Sequence, residues 1–320
     1  MKVQRTDLAV LGASLLWGFN YTSVKIALFY LTPFMLGLLR FAIASIAMVC
    51  LLRSMEGSIR VTWPAVRRMI VASLVGFGAQ QICFLYGSHF IDASMVALLT
   101  AFTTAFMVIL TSIASRERLN FLMLFGVGVA CLGVLGVVLG KKSALMLSSQ
   151  SLLGFALVIG SGILAGTAPL INRRTLMSYS SSRVTTWTII FGSCFFFPLG
   201  AASGNGSLLM HLPWQAWIAI LFSALGGTAG ANLLWNYGIA HIGVVRMTIY
   251  SYLAPLLGML LASFLLNEGM TPLQWVGALI TLVGIAISQY GKLVSTHRLT
   301  AQALDDHGPL TDPRMGIVGK

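Results

Sequence analysis

Residues 63–141, WPAVRRMIVASLVGFGAQQICFLYGSHFIDASMVALLTAFTTAFMVILTSIASRERLNFLMLFGVGVACLGVLGVVLGK, return as residues 214–292, WQAWIAILFSALGGTAGANLLWNYGIAHIGVVRMTIYSYLAPLLGMLLASFLLNEGMTPLQWVGALITLVGIAISQYGK, without a gap. The offset is a constant 151 residues (Trp63 to Trp214). Tyr86-Gly87 pairs with Tyr237-Gly238, Glu117 with Glu268, Gly126 with Gly277, Gly133 with Gly284, and Gly140-Lys141 with Gly291-Lys292. The register holds across successive apolar stretches and the turns between them. A duplicated apolar unit predicts a membrane protein built from two structural repeats, with a site at their junction.

Composition points the same way. Hydrophobic residues are 57 % of the chain and charged ones 9 %, against roughly 25 % charged in soluble domains; mean hydropathy is +0.89. The net charge of +12 suggests a nucleic-acid surface only until the cations are placed. They lie between apolar stretches, not on one basic face, so no nucleic-acid partner is expected. The partners expected are a small-molecule substrate and membrane lipid, with the chain a monomer or weak homodimer.

A span needs about 20 apolar residues. Uncharged runs, broken at Ser203-Gly-Asn-Gly-Ser and Pro213, predict ten helices at about 8–28, 33–52, 69–88, 93–113, 119–139, 151–171, 184–202, 215–238, 244–266 and 271–290. With the N-terminus in the cytoplasm, the outer loops hold only Lys141 and Lys142. Lys2, Arg5, Arg53, Arg60, Arg67, Arg68, Arg116, Arg118, Arg173, Arg174, Arg183, Arg246, Lys292, Arg298, Arg314 and Lys320 all fall inside. This positive-inside bias places both termini in the cytoplasm. Five helices per half is an odd number, so the second half enters the membrane from the other side. The expectation is an all-α membrane fold of two inverted five-helix repeats, 1–142 and 143–293, with a disordered cytoplasmic tail at 294–320.

Trp17-Gly-Phe-Asn-Tyr in the first helix, Pro33 followed by Arg40 in the second, and Tyr252-Leu-Ala-Pro255, Glu268, Thr271, Gly277 and Gly284 near the end resemble EamA-type carriers of the drug/metabolite transporter superfamily. The resemblance covers about residues 8–290. It implies a secondary carrier of the bacterial inner (plasma) membrane. Members are mostly exporters of amino acids, other metabolites or toxic organic compounds, and some are uptake carriers. The first repeat departs from the second in its fourth helix, where Thr104 stands for Pro255.

Polar and aromatic side chains cluster in a few helices. A bare amide in hydrocarbon costs several kcal/mol, so these groups must face protein or a wet cavity. Trp17, Asn20, Tyr21, Gln80, Asn232, Trp235, Asn236, Ser251 and Tyr252 are the expected substrate-binding set, since aromatic walls with a few amides suit a small zwitterion or flat solute. The competing reading for each is interhelical hydrogen bonding. Tyr86 and Tyr237 are either gates or interfacial anchors. Two cations lie inside spans. Lys25 reads as snorkelling to the outer surface. Arg40, seven residues into its helix and so about 10 Å deep, either attracts a substrate carboxylate or ties the bundle through backbone carbonyls; the structural role is the expectation.

All eight acids, Asp7, Glu56, Asp92, Glu117, Glu268, Asp305, Asp306 and Asp312, fall at span ends or beyond. No mid-membrane carboxylate is available as a proton relay. Glu117 and Glu268 read as complements to the dipoles of their own helices. Gly126, Gly128, Gly133, Gly136 and Gly140 read as one packing face. They are not a phosphate loop, so ATP is not an expected ligand. Cys50, Cys83, Cys131 and Cys194 are scattered in spans, and neither a metal nor a cofactor is expected. Export of amino acids or related metabolites by alternating access is the leading expectation. The alternatives are a multidrug or organic-compound exporter and an integral-membrane enzyme. The enzyme reading finds only His89 near Asp92, which suits a capping turn better than a catalytic pair.

Overall fold

A computed structural model describes residues 5–114, 120–140, 148–165, 171, 175, 178–203, 209–235, 237–238 and 253–307. They form helices in chain order: α1 (Arg5–Leu28), α2 (Pro33–Glu56), α3 (Trp63–Phe90), α4 (Ala93–Ala114), α5 (Phe121–Leu139), α6 (Ser149–Ala165), α7 (Ser181–Ala202), α8 (Trp214–Trp235), α9 (Leu253–Leu265) and α10 (Pro272–His307). Local chemistry sets their ends. Pro33, Pro64 and Pro272 lie in first turns, where the missing N–H has no helical acceptor to lose. Thr32, Asn120 and Ser180 accept backbone N–H bonds as N-caps of α2, α5 and α7. Gly57 ends α2 at φ +68, a left-handed conformation that glycine adopts without Cβ strain.

Among the described residues, α2, α3, α5, α8, residues Ser182–Ala202 of α7 and Pro272–Gly291 of α10 are long and apolar enough to cross a membrane. The described apolar parts of α4, α6 and α9 are shorter. Large apolar side chains such as Phe121, Leu132, Phe264 and Leu279 face outward, while Asn20, Arg40, Ser223 and Thr228 are buried. A water-soluble protein would place these groups the other way round. The chain is an all-α, multi-span membrane bundle whose outer helix faces contact lipid.

The closest helix pair is α5 with α10, which run antiparallel. A Cβ at Gly126 would overlap the backbone of Gly284 and Ser288, and one at Gly133 the backbone of Gly277 and Thr281. Glycine is required here because the two backbones touch. Gly140 meets Gln274 and Thr271 at the end of the same seam, whereas Gly128 faces open space and does not belong to it. The pair α2 and α7 is also antiparallel: Gly37 meets Phe196 near one end, and Glu56 bonds Arg183 near the other. In the interior, α1 packs on α9 and α8, and α3 packs on α6.

Two boundaries differ from expectation. Helix α3 starts at Trp63, not near 69, because Arg67 and Arg68 lie within its first turns with their side chains exposed. Helix α10 continues to His307, so the segment from 294 is helical up to that residue and not a structureless tail. From Lys292 to His307 there is no glycine or proline; both follow at once, in Gly308-Pro309.

Candidate functional site

Within α8, residues Phe222–Gly230 (FSALGGTAG) widen into a π-helical stretch. The run is nearly all small residues, which offer little side-chain packing to hold the tighter α turn. The Ala231 N–H donates to Gly226 O, and the Thr228 hydroxyl donates to Ser223 O, each five residues back. Such a stretch leaves carbonyls free for other partners. Trp17 uses one: its Nε1 donates to Gly227 O at 3.1 Å.

The site grows from this stretch. Asn20 of α1 accepts a 2.7 Å hydrogen bond from the Ser223 hydroxyl. It fits because position 227 is glycine; a Cβ there would overlap the Asn20 side chain. The Trp17 and Trp235 rings lie 4.9 Å apart, tilted by 51°. Arg40 of α2 is 3 % exposed. Its Nε donates to Thr228 Oγ1 at 2.8 Å, its guanidinium lies 5.4 Å from the Phe41 ring centre, and its buried Nη1 has no partner. Asn232 donates from Nδ2 to Thr228 O at 2.6 Å. Thr228 thus ties α2 to α8, one residue from the Gly227 carbonyl that takes Trp17 of α1.

Trp17, Asn20, Asn232 and Trp235 therefore lie along the α1–α8 contact, and Arg40 reaches it from α2. Tyr21 points away from α8. It packs against Gly258 of α9 and Phe84 of α3, and its hydroxyl reaches Thr100 of α4. Gln80 and Gln81 open the first turn after a second π-helical stretch, Leu74–Ala79 of α3. Gln81 Oε1 is buried without a partner, and among the described residues no hydrogen bond joins Gln80 to the α1–α8 cluster. Asn236, Ser251 and Tyr252, together with Glu117 and the side chain of Thr104, lie outside the described residues. Thr100 and Thr103 bond backbone carbonyls of their own helix, the structural alternative.

The sequence reading missed Ser223, Gly227 and Thr228. The available signal was Thr228 four residues before Asn232, one helical turn away on the same face, next to the paired glycines Gly226-Gly227.

The remaining charges have structural partners. Lys25 donates to the carbonyls of Ser88 (2.9 Å), His89 (3.4 Å) and Ile91 (2.6 Å), so it caps the C-terminal end of α3 instead of only snorkelling. Glu268 accepts from the Ala93 and Ser94 N–H groups (2.9 Å each) and from the Ser94 hydroxyl (2.7 Å). It complements the dipole of α4, not of α10 as its sequence position suggests. At the opposite end of the bundle, Arg183 pairs with Glu56 at 2.7 Å, and Trp187 Nε1 donates to Ile59 O. Nearby, hydrogen bonds with Thr62 hold the exposed Tyr179 hydroxyl below the usual tyrosine range.

A cavity of about 430 Å³ opens where the α1–α2 turn meets the end of α3, lined by Leu28, Tyr30, Thr32, Tyr86 and Phe90 among others. Tyr86 contacts Phe34 and Phe90 there. Tyr237, two residues beyond α8, is 44 % exposed. Among the described residues no group of acids, histidines and cysteines could hold a metal ion.

Known proteins share this architecture. The EamA-like transporter family matches residues 4–139 and again 152–290. A probable amino-acid metabolite efflux pump of Escherichia coli is 22 % identical over 86 % of this chain and 91 % of its own length. A probable terminal-alkyne amino-acid exporter of Streptantibioticus cattleyicolor is 24 % identical over 90 % of this chain and 94 % of its own. One solved structure superposes with a TM-score of 0.59 at 18 % identity, covering 88 % of this chain and 96 % of that one. The chain belongs to the EamA-like transporter family and is a small-molecule transporter, not an enzyme.

Proposed function

We propose that the chain is a secondary carrier of the bacterial inner membrane that exports amino acids or related small metabolites by alternating access. Its working unit is ten spans in two inverted repeats, with both termini cytoplasmic. Several features support the inverted arrangement. Helices α5 and α10 are repeat equivalents at the offset of 151, and they pack antiparallel. Under that offset the contact Gly126–Gly284 becomes Gly277–Gly133, which is the other contact of the seam. The π-helical stretch Leu74–Ala79 likewise falls, at the same offset, within Phe222–Gly230. Inverted halves can exchange conformations, which opens a site between them to either side in turn.

The observation that carries the reading is the aromatic and amide cluster where α1, of the first repeat, meets the π-helical stretch of α8, of the second. Trp17, Asn20, Asn232 and Trp235 form its described part; Gln80, Asn236, Ser251 and Tyr252 complete the proposed lining, with Tyr86 and Tyr237 as gates. The relatives named as amino-acid exporters supply the substrate class. An exporter of organic cations fits less well, because the charge buried at this cluster is itself positive.

The test compares the growth medium of peptide-fed cells expressing the protein with that of cells expressing Trp235→Ala at equal membrane level. Excretion of one or a few amino acids by the unaltered protein alone is expected. Equal media from both would remove amino-acid export at this cluster.

A further inference from the structure

We propose that Arg40 binds the carboxylate of the transported solute, making the carrier selective for carboxylates over the corresponding amides. The proposal rests on the export reading above and names the chemistry of the same site.

A guanidinium stays protonated in any protein environment and offers five N–H donors in a planar fork. Arg40 is 3 % exposed and lies well inside α2, so its charge has little water. What the protein gives it is neutral. Nε meets the Thr228 hydroxyl, the Phe41 ring lies alongside, and Nη1 is buried with no partner. A buried charge without a counter-charge is strongly unfavourable, and an ionisable side chain inside a membrane is a functional-site candidate by default.

Among the described residues no anion lies at this depth. Glu56 pairs with Arg183 where α2 ends, Glu268 caps α4, and Asp92 lies in the turn before α4. Asp7 is near the start of α1, and Glu117, Asp305, Asp306 and Asp312 are outside the predicted spans. The missing partner is therefore an anion that arrives and leaves.

The geometry selects a carboxylate. With Nε held by Thr228, the edge formed by the two terminal nitrogens remains, and it matches the two oxygens of a carboxylate. Thr228 also links Arg40 to the rest of the cluster: it donates to Ser223 O, and the Ser223 hydroxyl donates to Asn20. A solute held at Arg40 thus has amides and the Trp17–Trp235 pair within the same cluster for its remaining parts. An interhelical tie made by Arg40 alone would have used its terminal nitrogens on carbonyls, as Lys25 uses its ammonium on three.

The experiment uses the purified full-length protein with two readouts. One is efflux of the twenty common L-amino acids from loaded proteoliposomes. The other is protection from thermal unfolding in detergent by those amino acids and by their carboxamides. Efflux of one or more amino acids is expected. Those same compounds should protect at concentrations about tenfold to a hundredfold below their carboxamides, the range for a lost hydrogen bond to a charged group. Arg40→Gln should abolish that preference, and Arg40→Lys should keep it in weakened form. Efflux with equal protection by acids and amides, or a preference that survives in Arg40→Gln, would overturn the carboxylate anchor and leave the export reading standing. Protection by carboxylates without efflux would support the anchor and overturn export. Should Arg40→Gln fail to fold, the acid-over-amide ratio of the unaltered protein and of Arg40→Lys decides the question.

Discussion

Leu74–Ala79 in α3 and Phe222–Gly230 in α8 are the same backbone irregularity in the two halves of the repeat, and they are surrounded by different chemistry. Around the first, Phe77 covers Gly192, Phe195 covers Gly78, and Phe41 stacks edge-on to Phe77 with ring centres 5.1 Å apart. Around the second, the partners are Trp17, Asn20 and Arg40. Thr228 stands at the repeat position of Phe77. The widened turn is therefore common to both repeats, whereas among the described residues the polar cluster surrounds the second copy. A π-helical stretch creates acceptors, and whether they become a site depends on what the facing helices bring.

This contrast can be broken by crowding each stretch in turn. Gly227→Val would drive Asn20 out of its seat and separate α1 from α8. Export from cells should fall to background even where the protein still reaches the membrane. Thr228→Val should come next in effect. It removes the Arg40 Nε partner at nearly constant volume, at a cost of about 1.5–3 kcal/mol, read as a lower unfolding temperature in detergent together with slower efflux. Gly192→Val crowds Phe77 in the apolar copy and should cost about 1–3 kcal/mol by overpacking, with efflux retained in the protein that folds. If Gly192→Val stops efflux as completely as Gly227→Val, the two stretches are functionally alike and the contrast fails. The smallest effect is expected from Glu268→Gln, outside both stretches. Loss of the charge at the start of α4 should cost roughly 0.3–1 kcal/mol and leave efflux near that of the unaltered protein.

Much of this arrangement could be read from residues before any contact was known. Apolar run lengths locate the helices, the constant offset exposes the repeat, and the cost of an amide in hydrocarbon singles out Asn20 and Asn232. What could not be read depends on how one helix sits against another. Glu268 looks like the partner of α10 because it is next to it in sequence, yet its carboxylate reaches the start of α4. Lys25 lies near the end of its own helix and caps another. Periodicity assigns a residue to a face of a helix but not to a neighbour, so the Arg40–Thr228 bond, between residues 188 apart, had no local signal. The π-helical stretches were hidden for a different reason: a glycine-rich run reads equally well as close packing, and only backbone bonds five residues back distinguish the two.

The glycine seam between α5 and α10 also sets an order of assembly. Helix α5 leaves the ribosome well before α10, which carries its matching surface. Until then the face carrying Gly126 and Gly133 lacks the surface that receives it among the described residues. A chain that stops before Pro272 therefore leaves Gly126 and Gly133 as a backbone ridge without the residues that pack on it.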